Sequence, residues 1–212
     1  MKTIKLLVLA VLFITFGSCD DDNDIQLLDV VTESFSNLYA PQEGGRDQMG
    51  NPIPISGEFA KFDFATGMAT TSTTAWDIAF RGTTIIINGG VSFGTTDEPA
   101  RTGNGAVYIA NGTMASVVNV NTTSLIQDSA DRYAIITGSG NGWYTYAGAP
   151  THLIAPTPGK ILVVKTRDGK YAKVEILSYY KSAPSTPDAF TDADKYYTFN
   201  YVYQPNEGVT IF

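Results

Sequence analysis

The stretch from Ile161 to Tyr180 constrains the fold more than any other. Ile161 to Thr166 is a continuous apolar run, and Tyr171 to Tyr180 alternates. Between them Arg167, Asp168, Gly169 and Lys170 make a turn. Asp-Gly between two such runs predicts a β-hairpin with a type I′ turn, which needs positive φ at both central residues. The hairpin is preceded by a short aromatic strand, Trp143 to Tyr146. The loop between them is bounded by Pro150, Pro156 and Pro158 and carries His152, the only histidine.

The rest of the chain supplies more strands. Glu58 to Phe64 alternates, with Phe59, Lys61 and Asp63 on one face and Ala60, Phe62 and Phe64 on the other. Ala75 to Arg81 and Thr83 to Asn88 predict a strand pair about Gly82, and Gly67 to Thr74 reads as a turn. Ala106 to Ala110, Tyr133 to Thr137 and Tyr196 to Gln204 are further strands, with a short one at Val209 to Phe212. Val30 to Ala40 is ambiguous between helix and strand. Pro41 to Gly57, Gly89 to Gly105 and Ser182 to Asp194 read as loops, the last with a helical turn at Asp188 to Lys195. Asn111 to Asp131 is polar and without period. About nine short strands separated by turn signals predict an all-β fold: a mainly antiparallel β sandwich with little helix. No internal repeat or later linker divides residues 30–212, so one domain is expected there.

Met1 to Ser18 has the form of a signal peptide. Lys2 and Lys5 precede an apolar run from Leu6 to Phe16, too short for a comfortable membrane span. Gly17-Ser18-Cys19 resembles a bacterial lipobox ending. Cys19, the only cysteine, is therefore the expected acylated N-terminus of a lipid-anchored protein. Residues 19–29 read as an acidic tether. Its DDDND run also resembles the export signal of surface lipoproteins in the Bacteroidota, and Asp128-Ser129-Ala130 resembles the O-glycosylation tripeptide of the same group.

The chemistry on offer favours binding over catalysis. One histidine and one lipidated cysteine leave few nucleophile arrangements, and no GxSxG elbow is present. No Lys-Ser/Thr follows the glycines of 138–142, which argues against a phosphate loop. Asp63, Asp77 and Glu175 lie in strands and read as exposed or hydrogen-bonded strand residues rather than a catalytic pair. Net charge is −7 with no basic patch, which argues against nucleic acid. Aromatic residues are abundant: Tyr197, Phe199, Tyr201 and Tyr203 share one strand face, beside Trp143, Tyr144, Tyr146, Tyr179 and Tyr180. Many of them are expected in the core. Phenol hydroxyls need partners, so some are expected to line a ligand cleft.

Several stretches, in order, resemble the HmuY family of haem-binding bacterial surface lipoproteins. They are AWDIAFRG at Ala75 to Gly82, INGG at Ile87 to Gly90, GNGAVY at Gly103 to Tyr108, then GWYTY, DGKYAKVEI and YYTFNYVYQP. The resemblance implies an all-β protein at the outer-membrane surface. It would capture haem (b-type, non-covalent) or another porphyrin and pass it to an outer-membrane transporter in iron acquisition. It further implies two axial iron ligands, His or Met: one before the Trp143 strand and one in the loop after it. This chain departs at both places. Val120 to Gly142 holds neither His nor Met, and Ala147-Gly148-Ala149 follows Tyr146 where a ligand is expected. The candidates are then His152 alone, His152 with Met114, or a tyrosine ligand from Tyr144 or Tyr146, with Trp143 alongside. The alternative role for His152 is to hydrogen-bond backbone and hold its loop. The alternative function is a lipoprotein of the same fold that binds no haem and recognises a glycan, peptide or partner protein.

Overall fold

The structure, a computed structural model, describes residues 26–47 and 49–212. The signal peptide, Cys19 and most of the acidic tether lie outside the described residues. Leu28 is already held by the fold, its N–H donating to Asn206 Oδ1 at 2.9 Å and its carbonyl accepting from Asn206 Nδ2 at 2.8 Å.

The strands run in chain order as β1 (Val31–Tyr39), β2 (Glu43–Arg46), β3 (Pro52–Ser56), β4 (Ala60–Asp63), β5 (Met68–Thr70), β6 (Ile78–Arg81) and β7 (Thr84–Ile87). There follow β8 (Ala106–Asn111), β9 (Tyr144–Tyr146), β10 (Ile154–Pro156), β11 (Lys160–Lys165), β12 (Tyr171–Tyr180) and β13 (Asp194–Gln204). A five-stranded sheet has the order β1-β13-β12-β11-β8, and a four-stranded sheet the order β5-β4-β6-β7. Every ladder is antiparallel, and the two sheets pack face to face. The all-β antiparallel sandwich expected from the turn spacing is what the chain forms. β2–β3 and β9–β10 are separate hairpins.

The core between the sheets is aromatic. Phe62, Phe80, Tyr197 and Phe199 are fully buried and meet at centroid distances of 4.6 to 5.9 Å. The aromatic face of β13 is thus sandwich core and not a cleft wall. Tyr197 satisfies its hydroxyl within that core, donating to the Gly82 carbonyl at 2.8 Å. The outer side of the four-stranded sheet is also covered: Phe59, Trp76, Ala79, Ile86 and Tyr133 form a second cluster. A third covers the outer face of the five-stranded sheet, where Val117 and Val120 pack on Ile161, Val163 and Tyr171. Strand β11 is therefore buried on both faces. That is why its sequence is continuously apolar rather than alternating.

The hairpin turn differs from expectation. Gly169 has φ 89°, but Asp168 is not among the residues with positive φ. Gly169 N donates to Thr166 O at 3.2 Å and Thr166 N to Lys170 O at 2.8 Å. This is a type I turn closed by a glycine bulge, a three-residue solution that asks for only one left-handed residue. It aims Arg167 at the opposite sheet. Arg167 Nη1 reaches Asp63 Oδ1 at 3.0 Å and Asp77 Oδ1 at 3.1 Å, and Arg167 N donates to Asp77 Oδ1 at 3.0 Å. Asp63 and Asp77 are buried, hydrogen-bonded strand-end groups. The Trp-Asp strand and the Asp-Gly hairpin are thus tied to each other across the sandwich.

Other expectations are corrected. Pro41 to Gly57 holds the β2–β3 hairpin, with Pro52 and Pro54 in an exposed strand where missing N–H groups cost no ladder bond. Gly67 to Thr74 contains β5, which pairs with β4. Tyr133 to Thr137 is not a strand: Tyr133, Ala134 and Ile135 are buried, but Ala134 N donates to Asp128 Oδ1 at 2.8 Å rather than to a ladder. The helical turn expected near Asp188 is present as a single turn, Asp192 N donating to Asp188 O at 2.9 Å, with Asp188 Oδ1 accepting from Phe190 N at 2.9 Å. Val209 to Phe212 contributes one bridge, Asn119 to Ile211.

The INGG and GNG stretches are a joint. Asn88, fully buried, donates to Thr74 O and Trp76 O at 3.0 and 2.9 Å and accepts from the Thr102 and Gly103 N–H groups at 2.7 and 3.0 Å. A Cβ on Gly89 would sit 1.9 Å from the Gly105 carbonyl oxygen. Gly89→Ala is expected to destabilise the domain by about 3 kcal/mol, because backbone must move to admit the methyl. Urea unfolding measures this, and an unchanged midpoint would contradict the joint.

Candidate functional site

Four of the five predicted ligand residues, Trp143, Tyr144, Tyr146 and His152, converge on the β9–β10 hairpin. Trp143 enters it as a core anchor: it is buried, its Nε1–H donates to Thr83 O at 3.0 Å, and its ring packs against Tyr144, Tyr179 and Tyr197. Trp143 therefore supports the site from beneath. Tyr144 and Tyr146 fall on one face of β9, as i and i+2 positions must. Tyr144 is buried and Tyr146 exposed, so this face runs from core to solvent.

Strand β10 lies inside what the sequence presents as one long loop. Ile154 pairs with Tyr146 and Pro156 with Tyr144. Ala147 N donates to Leu153 O at 2.9 Å, and His152 N to Gly148 O at 2.7 Å. His152 sits at φ 52°, in the left-handed region. This closure brings its ring to Tyr146, whose hydroxyl is hydrogen-bonded to His152 Nδ1. The imidazole thus partners a phenol, not the backbone. Phe190, exposed on the β12–β13 connection, meets the His152 ring edge-on at 5.7 Å. Beneath the pair, Tyr146 N donates to Ser139 Oγ at 2.8 Å, and Ile154 N to the Tyr180 hydroxyl at 3.1 Å.

A cavity of about 430 Å³ opens beside Tyr146. Tyr144, Tyr146, Ile154 and Tyr179 line it, with Thr83, Asp194 and Lys195 among its other walls. Lys195 Nζ lies 2.9 and 3.0 Å from the two oxygens of Asp194. Tyr179 reaches the cavity because a bulge near Ser178 breaks the alternation of β12, so that Tyr179 and Tyr180 are both buried. Burial pushes the ionisation of the Tyr179 phenol up, and the nearby Asp194 carboxylate adds to that.

Met114 is not brought to this site. It packs on the outer-face cluster with Val117, Ile161 and Tyr171, and its carbonyl accepts from Lys173 Nζ at 2.7 Å. Ser129 is occupied locally, its hydroxyl accepting from Arg132 N at 3.2 Å and donating to Arg132 O at 3.2 Å. A second, more apolar groove of about 500 Å³ lies between the β1 and β5 sides of the sandwich, lined by Phe35, Leu38, Tyr39, Phe59 and Ala69 among others. Among the described residues no group of three or more His, Cys, Asp or Glu could hold a metal ion. Nor is any helix there long and apolar enough to cross a membrane. Tyr179, one of the aromatics from which cleft-lining residues were expected, does line this cavity, whereas the Asp194–Lys195 pair had no sequence signal.

An apo HmuY analogue of Tannerella forsythia aligns over 85% of this chain and 99% of its own, at 13% identity and a TM-score of 0.47. A Bacteroides vulgatus protein, described provisionally as HmuY-like and heme-binding, aligns over 70% of this chain and 86% of its own, at 16% identity and a TM-score of 0.45. A Bacteroides fragilis protein, provisionally described as a lipoprotein, aligns over 70% and 83%, at 13% identity and a TM-score of 0.44. No curated protein sequence matches the chain. The HmuY protein family profile matches residues 58–201, which include both sheets apart from β1 and the last residues of β13, and the chain belongs to that family.

Proposed function

We propose that this chain is a surface lipoprotein, anchored to the outer membrane through Cys19, that binds haem or a related porphyrin without turnover and hands it to an outer-membrane transporter. Its leader is residues 1–18, its tether begins at Cys19, and residues 30–212 form the binding domain. Two His or Met ligands facing each other across a macrocycle do not fit this chain, because Met114 packs on the outer face of the five-stranded sheet. A single oxygen ligand does fit. The observation that carries this reading is the exposed Tyr146 hydroxyl, hydrogen-bonded to His152 at the mouth of a partly aromatic cavity.

Haem iron, when bound, would supply an electrophilic centre of the kind that phenol oxygen ligates in known haem proteins. The residues here divide the work. Tyr146 presents the oxygen. His152 Nδ1, hydrogen-bonded to that hydroxyl, would hold it in place, as outer-shell partners of metal ligands do. Phe190 and Ile154 supply apolar surface to either side. Titration of haemin into the purified chain tests the proposal. A sharpened, shifted Soret band is expected, and His152→Ala is expected to weaken binding roughly tenfold, the scale for an outer-shell partner. An unchanged Soret band at saturating haemin would exclude haem as the ligand.

The second reading is a family member that binds no haem and recognises a glycan, peptide or partner protein. The apolar groove beside the edge strands β1 and β5 favours it, since an extended peptide adds readily to an open sheet edge. Glycan or peptide binding that survives Tyr146→Phe, with no haemin response, would select it.

A further inference from the structure

We infer that the cavity beside Tyr146 receives one carboxylate of the porphyrin, held by the hydroxyls of Tyr144 and Tyr179; this rests on the haem reading. Tyr144 is 8% and Tyr179 2% exposed, and both line the cavity. Every other tyrosine hydroxyl packed around this hairpin is engaged. Tyr197 donates to Gly82 O, Tyr180 accepts from Ile154 N, and Tyr146 partners His152. The hydroxyls of Tyr144 and Tyr179 have no hydrogen-bond partner among the described residues, and neither is sealed from the cavity. Two phenol hydroxyls that the protein leaves without partners thus open onto one cavity, where a bound acceptor would replace solvent.

The acceptor's chemistry follows from the walls. Burial keeps the Tyr179 phenol protonated, so it donates and does not accept a proton. Two neutral donors lining one cavity suit a carboxylate, and hydrogen bonds to a charged acceptor are the stronger kind. Asp194 would repel an anion, but Lys195 Nζ binds both its oxygens and cancels its charge at the rim. Spacing agrees. Tyr144 and Tyr146 are i and i+2 on one strand face, about 7 Å apart along the strand. That is the scale separating the centre of a porphyrin from its carboxylate-bearing edge.

Three measurements on the intact chain test the inference: binding of haemin, of its dimethyl ester, and of metal-free protoporphyrin IX, the last by quenching of tryptophan fluorescence. The ester is expected to bind roughly tenfold more weakly than haemin, the scale of a lost charge-assisted hydrogen bond. The Tyr144→Phe/Tyr179→Phe double variant is expected to bind acid and ester alike and to lose affinity for the metal-free acid. Equal binding of acid and ester by the unaltered chain would overturn the carboxylate site while leaving haem binding intact. That comparison needs no variant to fold. Failure of every porphyrin to bind would overturn the haem reading and this inference with it.

Discussion

Replacing Arg167 with methionine is expected to lower the stability of the domain by about 3 kcal/mol at pH 8, the lower end of the cost of stranding buried carboxylates. Arg167 Nη1 bridges Asp63 and Asp77, which come from β4 and the approach to β6, while Arg167 itself belongs to the turn between β11 and β12. Both carboxylates are buried, and Asp77 also accepts from Phe64 N at 3.0 Å. Methionine keeps the apolar stem and removes the charge, so the loss isolates the ion pair from packing. The penalty is expected to shrink on acidification. Burial pushes the Asp77 carboxyl up to about 6, against the opposing pull of the Arg167 and Phe64 amides and the Arg167 charge. An acid with its folded value raised binds more protons folded than unfolded, so its contribution to stability is full below the unfolded value and is lost as pH rises through about 6. Without the guanidinium the carboxyl rises further. The variant then recovers stability between pH 8 and pH 5 relative to the parent. Urea midpoints at the two pH values measure this, and a penalty that grows on acidification would contradict the pairing.

Tyr146→Phe is the variant expected to change binding most. It removes one oxygen from an exposed ring and leaves the β9–β10 ladder intact. Haemin affinity is expected to fall by more than roughly a hundredfold, beyond the range for outer-shell partners, because the ligand itself is lost. His152→Ala should fall well short of that. A Tyr146→Phe protein that binds haemin as tightly as the parent would place the iron elsewhere.

Much of the sandwich could be read from the chain because burial and pleat leave periodic marks. β13 alternates, as does β12 in sequence up to its bulge near Ser178, and the Asp-Gly turn lies between β11 and β12 where expected, although its bulged form asks for one left-handed residue instead of two. What escaped was structure without a periodic mark. β2, β3 and β5 are short edge elements rich in Gly, Pro or small residues, and their pairing is set by neighbours. Tyr133 to Ile135 carried the apolar signal of a strand because it is buried, yet its backbone is satisfied by the Asp128 side chain. The aromatic face of β13 was ambiguous between core and cleft, since aromatic residues serve both; Phe62 and Phe80 on the facing sheet make it core.

The site was legible as a set of residues and not as an arrangement. Tyr144, Tyr146 and His152 stood out by type, but only the pairing of β10 with β9 folds residue 152 back onto residue 146. Met114 stood out by the same reasoning and belongs to another face, because sulfur in a polar stretch carries no signal of which cluster it joins. The motifs most specific to the family, the Trp-Asp strand and the Asp-Gly hairpin, prove to be structural partners through Arg167. They identify the fold without reporting on the ligand. On the haem reading, iron ligation is separable from family membership in this chain and would depend on one phenol and one imidazole.

Resonance Raman spectroscopy of the ferric haemin complex tests that dependence most directly. Iron–phenolate vibrations that vanish in Tyr146→Phe and persist, shifted, in His152→Ala are the predicted result. A low-spin spectrum of two nitrogen or sulfur axial ligands, unchanged by Tyr146→Phe, would contradict it.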